Sequence, residues 1–346
     1  MRNFKRRLTW FALAFVLQQS IFLFIDKVYL ASDFDIKAEK VEEQDNQADK
    51  KTEIDIKNGI DEVKLSSDAR YVSYIDSGKL KILDSNDNTE KECETDSGSE
   101  IAFYKWLNGE DNMLVIQKVK DKGAYYLEPV SFDAKKGETR DLADFDLHKV
   151  QIKLNSSKDE VNNVVFSTLT HSLYIEVKKS NGKCDLYYAN VMNQLKKVKS
   201  DRPITNVVVP TTSTNAVLEE GTSITILNTK GTLSIPNVRN PKVLGADVND
   251  NVYFGEEVNN KIQKIYYTVL SDKNRKWNEL KITDPVDKDD IIIDYSGKVY
   301  IDNKSKKTVL ELTGNKSISY KGDLVQAYSK GIISRVGNKL MKNKLE

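Results

Sequence analysis

Three stretches of this chain share one plan. MLVIQKVKDKGAYYLEPVSFDAKKGETR (113–140), LYIEVKKSNGKCDLYYANVMNQLKKV (173–198) and VYFGEEVNNKIQKIYYTVLSDKNRKW (252–277) each run from an apolar strand through a polar turn into a strand with a Tyr pair. A second polar turn and a Lys-rich stretch follow. Shorter versions occupy 216–235 and 298–312, and blocks start near residues 62, 101, 160, 204, 242 and 288. Their mean spacing, near 45 residues, is that of four-stranded propeller blades, typically about 40–50 residues. From Ser66 onward there is almost no sustained helical periodicity, only short Val-, Ile-, Tyr- and Leu-rich runs between turn residues. The expected fold is therefore all-β, a six- to seven-bladed β-propeller over residues 62–346. Residues 317–342 would supply a seventh blade or the strands that close the ring. A β-sandwich also turns every 8–12 residues, but it does not require repeated four-strand blocks.

Upstream of the repeats lies a different kind of segment. Arg2, Lys5, Arg6 and Arg7 precede any acid, and Leu8 to Ile25 carries no charge. At about 1.5 Å per residue these eighteen residues span roughly 27 Å, close to the hydrocarbon thickness of a bilayer. The expectation is one transmembrane signal-anchor helix over 8–28, in contact with membrane lipid through Leu8, Trp10, Phe11, Phe15, Val16, Leu17, Ile21, Phe22, Leu23, Phe24 and Ile25. Gln18, Gln19 and Ser20 weaken the span without breaking it. The four cations set the topology, with residues 1–7 a cytoplasmic stub and the rest of the chain outside the cytoplasm. A cleaved signal is the competing reading. Its apolar core would be shorter, and the nearest cleavage point, after Ala31, has Tyr29 at the −3 position.

Residues 33–64 hold eleven acids and six Lys, a net of −5. Such a segment buries too little apolar surface to offset its ordering entropy. Residues 29–61 are expected to be an acidic flexible tether. Residues 65–346 then carry +2 of the total +1, which gives no bulk attraction to nucleic acid.

SSDARYVSYIDSGKLKILD (66–84) resembles the blade motif of TolB-like propellers and of the propeller domain of dipeptidyl peptidase IV-like proteins, which runs Ser-Pro-Asp-Gly, strand, turn, strand. Ser67 stands where that motif has Pro and Ala69 where it has Gly. YKWLNGEDNMLVIQK (104–118) is similar to the companion Trp-containing pattern, with Trp106 kept. The resemblance implies a propeller. It implies no hydrolase domain, since no G-x-S-x-G elbow occurs.

The search for chemistry returns no catalytic residue, no cofactor site and no metal site. His148 and His171 lie near no nucleophile motif. Asp84-Asn86-Asn88 and Asp247-Asn249-Asn251 have calcium-loop spacing, but positions 6 and 12 are wrong. Both read as hairpin turns. Cys93 and Cys184, in blades 1 and 3, are expected to be free thiols. There is no P-loop and no dinucleotide fingerprint. One Tyr of each pair, Tyr125-Tyr126, Tyr187-Tyr188 and Tyr266-Tyr267, is expected to pack between blades. Lys outnumbers Arg 44 to 9, which suits a low-GC bacterial genome. The expected function is a non-catalytic module binding a protein or cell-envelope ligand. The alternatives are a hydrolase or lyase using channel carboxylates, and an assembly factor of an envelope complex.

Overall fold

The computed structural model describes Arg7, Trp10, Phe15, Gln18, Gln19 and Phe22 singly, then residues 52–272 and 275–345. The six isolated residues have helical backbone. Among the described residues no helix is long and apolar enough to cross a membrane. Leu8, Phe11, Val16, Leu17, Ile21, Leu23, Phe24 and Ile25, with Arg2, Lys5 and Arg6, lie outside the described residues.

Residues 52–345 form seven antiparallel sheets. Their innermost strands are Val63–Leu65, Glu100–Trp106, Glu160–Ser167, Ile204–Val208, Pro241–Ala246, Ile291–Ile293 and Asp323–Tyr328, for blades 1 to 7. Neighbouring inner strands pack side by side around a channel. Each blade steps outward from its inner strand through short hairpins. Between Val258 and Lys261, Asn259 and Asn260 both take positive φ, 53° and 61°, as a two-residue hairpin turn requires.

The second strand of a blade is covered on both sides, so it does not alternate. In Ser172–Lys178 every residue but the last is buried. These continuous apolar runs feed seven separate cores, one between each pair of adjacent blades. Fully burying a large apolar side chain contributes about 1.5–3 kcal/mol, and Phe132, Phe254 and Ile116 are all at 0% exposure. Two of the Tyr pairs serve two cores at once, and Tyr125 of the third packs between blades 2 and 3. Tyr187 packs between blades 2 and 3 and Tyr188 between blades 3 and 4. Tyr266 and Tyr267 divide likewise between the next cores.

Blade 7 takes its outer strand from the other end of the chain. Glu53–Asp55 pairs with Lys339–Lys344, with Ile54 opposite Leu340. Ile54, Ile56 and Ile60 are buried in the core between blades 7 and 1. Residues 53–61, expected in the tether, thus belong to the ring. Of the two roles open to 317–342, the seventh blade is the one it takes: residues 323–342 supply most of three of its strands, residues 317–319 finish blade 6, and the closing strand comes from Glu53–Asp55 instead.

Two blades depart from four strands. Blade 2 has five, because its long third strand Ala124–Asp133 pairs with Glu138–Asp141 below and Ile152–Lys153 above. Blade 4 has three, with only the bridge Thr225–Thr232 in place of an outer strand.

Candidate functional site: a capped channel between two unlike faces

The turns that follow each inner strand all lie on one end of the ring, here the lower face. Hydrogen bonds tie them together: Ser329 N–H to Ser67 O, Ser167 Oγ to Thr211 O, Thr211 Oγ1 to Asp247 O and Val248 N–H to Tyr295 O. The other end, the upper face, carries the second-to-third strand turns and the links between blades.

Irregular backbone lines the channel. The inner strands of blades 2, 3, 4, 5 and 7 each slip register, at Ile101/Phe103, Val161/Asn163, Ile204/Asn206, Val243/Gly245 and Leu324/Gln326. A bulge re-aims the side chain beside it. Asn163 Nδ2 donates to Val207 O at 3.4 Å and Asn206 Nδ2 to Val243 O at 2.9 Å, each reaching the next blade. Gln326 exchanges two bonds with the Leu65 backbone, both 3.0 Å. Lys64 Nζ donates to Tyr104 O at 3.3 Å and Lys105 Nζ to Val164 O at 2.9 Å. Donors thus stitch blade 7 to 1, 1 to 2, 2 to 3, 3 to 4 and 4 to 5. At blade 5 the linkage becomes apolar: a Cβ on Gly245 would sit 2.9 Å from Ile293 Cβ, so glycine is what lets these two strands close.

Two cavities of about 380 and 260 Å³ fill the lower half of the channel, and both are lined by Lys105, Leu107, Asn108 and Ile293. Tyr295 lines the smaller one, with its hydroxyl 3.1 Å from Thr168 Oγ1 of blade 3 and its ring 3.6 Å from where a Gly109 Cβ would stand. Protein surrounds Lys105 even where channel water reaches it. That desolvation, with Lys64 nearby, lowers its pKa to about 8. Asp294 is the one carboxylate among the residues lining these two cavities.

The upper face is laced by ion pairs. Lys118–Glu100, Lys304–Asp290, Lys307–Asp323 and Lys261–Asp287 lie at 3.8, 2.6, 3.3 and 2.7 Å. Glu219, 2% exposed, joins three blades. It accepts from Thr205 Oγ1 at 2.9 Å, Val243 N–H at 2.8 Å and Lys288 Nζ at 2.8 Å, with Lys242 Nζ at 3.6 Å. Asp185 sits between Lys179 at 2.8 Å and Lys197 at 2.6 Å. Burial alone would raise this carboxyl, but the two ammonium groups overcome it and hold its pKa at about 2.

Both calcium-like triplets are turns. Asp84 Oδ1 accepts from Asn86 N–H, and Arg70 grips the same carboxylate. Asp247 Oδ1 accepts from Asn249 and Asn251 N–H. Asp144, Asp146 and His148 stand close enough to share an ion, but Asp144 Oδ1 already holds the Asp146 and His148 amides of an exposed turn. His171 packs edge-on against Phe166 at 5.9 Å. Cys93 and Cys184 are free and buried. Trp106 stacks on Tyr71 at 5.9 Å and donates to Ser73 Oγ at 2.9 Å, so it serves the core between blades 1 and 2. The donor ring and the Tyr295–Thr168 contact have no sequence signal of their own, because register slips and cross-channel contacts set them.

No family model matches the sequence, and no curated protein does. Solved structures match at low identity. The WD40 domain of SCAP from fission yeast is 11% identical, with 83% of this chain and 84% of that one covered and a TM-score of 0.42. Porphyromonas gingivalis dipeptidyl peptidase 4 is 10% identical over 81% of this chain, with a TM-score of 0.48. The match spans 50% of that peptidase. The Myceliophteria thermophila Cps50 (Swd1) β-propeller domain is 7% identical over 84% of this chain and 98% of that one, at 0.46. The propeller itself rests on the strand pairing above, and the described residues contain no other domain.

Proposed function

We propose that this chain is a membrane-anchored, extracytoplasmic β-propeller that binds a protein or cell-envelope ligand without catalysing a reaction. Residues 8–28 form the anchor, with Arg2, Lys5, Arg6 and Arg7 on the cytoplasmic side. The upper face carries the ligand site. One observation carries this reading: Tyr295 reaches across the lower end of the channel to Thr168 and hydrogen bonds tie neighbouring inner strands, while the upper rim is an array of fixed charges. Such a ring is a rigid display surface. Its lower cavities bring one carboxylate beside two Lys, which favours binding over acid–base work by paired carboxylates.

The test is affinity capture from solubilised envelopes with the full chain, in parallel with a Lys118→Glu, Lys304→Glu variant. The expected result is an envelope component retained by the parent and lost by the variant. Capture of no component, together with turnover of a substrate by the purified chain, overturns the proposal.

A further inference from the structure

Three loops of the lower face, residues 168–171, 190–194 and 209–216, contain no charged residue, in a chain of which 30% is charged. They adjoin one another on blades 3 and 4: the Ser167–Thr211 bond joins the first to the third, and the pairing of Leu173 with Ala189 sets the first beside the second. Leu169, Val191 and Met192 stand on them at 69, 64 and 49% exposure. Beside them a hairpin from the rim of blade 2 carries Phe145 and Leu147, more exposed still, and Asn193 Nδ2 fixes it by donating to Ala143 O at 2.7 Å. That hairpin also carries Asp144, Asp146 and Lys149, so the uncharged part of the patch is the three loops, with Phe145 and Leu147 at its edge. Scattered apolar side chains on a surface need no explanation, but a contiguous apolar patch marks something that covers it.

We infer that this patch rests on the bilayer, seating the propeller lower face down on the membrane. The inference builds on the anchor proposed above. The path of the chain identifies the occupant. Glu53–Asp55 runs antiparallel to Lys339–Lys344, a strand that begins at the upper-face turn through Gly337 and ends at the lower face. Thr52 therefore joins the ring at blade 7 from the direction of the lower face, the face that carries the patch. Residues 29–51, the stretch between the proposed anchor and the ring, are long enough to reach roughly 80 Å, ample for a ring lying flat. Each side chain that enters the interface moves apolar surface out of water, a weak gain taken singly. A tether giving millimolar effective concentration makes such weak contacts sufficient. Without cations in the three loops, the contact needs no anionic lipid.

The experiment places the full chain in phosphatidylcholine nanodiscs with a fluorophore on a single introduced thiol, Met192→Cys or, as upper-face control, Val258→Cys. Cys93 and Cys184 do not compete, because burial pushes their thiols up to about 11 and 12. The label at 192 is expected to be quenched by doxyl groups on the acyl chains and shielded severalfold from aqueous iodide, with the reverse at 258. Equal iodide access at the two positions overturns the inference and leaves the anchor standing. Shielding at 192 only when two chains share a disc assigns the patch to a second copy, and likewise overturns it. A chain that does not stay with the discs overturns the anchor and this assignment together.

Discussion

The two faces of the ring are made by the same repeat yet differ in kind. On the upper face Lys and acid side chains from neighbouring blades interlock, and Glu219 alone joins blades 4, 5 and 6. On the lower face, hydroxyl and backbone groups join the turns of blades 3, 4, 5 and 6. Charged pairs there are sparse, Arg70–Asp84 being the well-formed one. An ionic surface stays solvated and can read a charged partner. The turns of blades 1 and 2 on the lower face still carry exposed Asp68, Lys135 and Lys136, but the loops of blades 3 and 4, built of Leu, Val, Met, Thr and Asn, lose little when water leaves them. One rigid scaffold thus offers a wet face and, on the opposite face, a sector at blades 3 and 4 that tolerates drying.

The contrast predicts where substitutions will hurt. Glu219→Ala leaves Lys288, Lys242 and the Val243 amide without their buried acceptor, and is expected to cost about 3 kcal/mol in urea unfolding. Wild-type stability here would mean that the upper-face hub holds nothing. Next is Asp185. Its depressed pKa stabilises the fold above the unfolded value near 4, and that contribution is lost as pH falls towards 2. Over that window the parent is expected to lose about 2 kcal/mol more than Asp185→Asn. Identical acid profiles would contradict the pairing.

Lys105 gives the opposite sign. Its folded pKa, about 8, lies below the ordinary lysine value, so between pH 8 and about 10.4 the unfolded chain holds a proton the folded chain has released. Stability should rise with pH across that window. Lys105→Met should raise the melting temperature at pH 7, by an amount that shrinks towards pH 10. The smallest effect belongs to the lower face. Met192→Asp is expected to change stability by less than about 0.5 kcal/mol while abolishing lipid shielding of its loop. A large loss of stability would show that the patch is structural.

Much of the ring was legible in the sequence, because a blade must be apolar on both sides and its turns must be Gly- or Asn-rich. The same periodicity left six or seven blades open and asked one Tyr of each pair to pack between blades, where Tyr187 and Tyr188 both do. Glu53–Asp55 was not legible. Ile54, Ile56 and Ile60 stand among acids and Lys, and only pairing with Leu340 gives them a core. Nor was the donor ring. Asn163, Asn206 and Gln326 are ordinary polar strand residues until a bulge turns them to the neighbouring blade. The blade motif hid one substitution of consequence. Ala69, where related motifs have Gly, takes φ 58° and is fully buried, so the methyl's packing offsets the left-handed strain. The uncharged loops were visible as strings, but only the strand order places them on one face.

The most direct measurement is the reaction of intact cells carrying the full chain with Asn260→Cys, an upper-face turn position, with a membrane-impermeant maleimide. Labelling before lysis, in protein that fractionates with the membrane, is expected. Labelling only after lysis would place the propeller in the cytoplasm and contradict an anchored module that presents its upper face to the envelope.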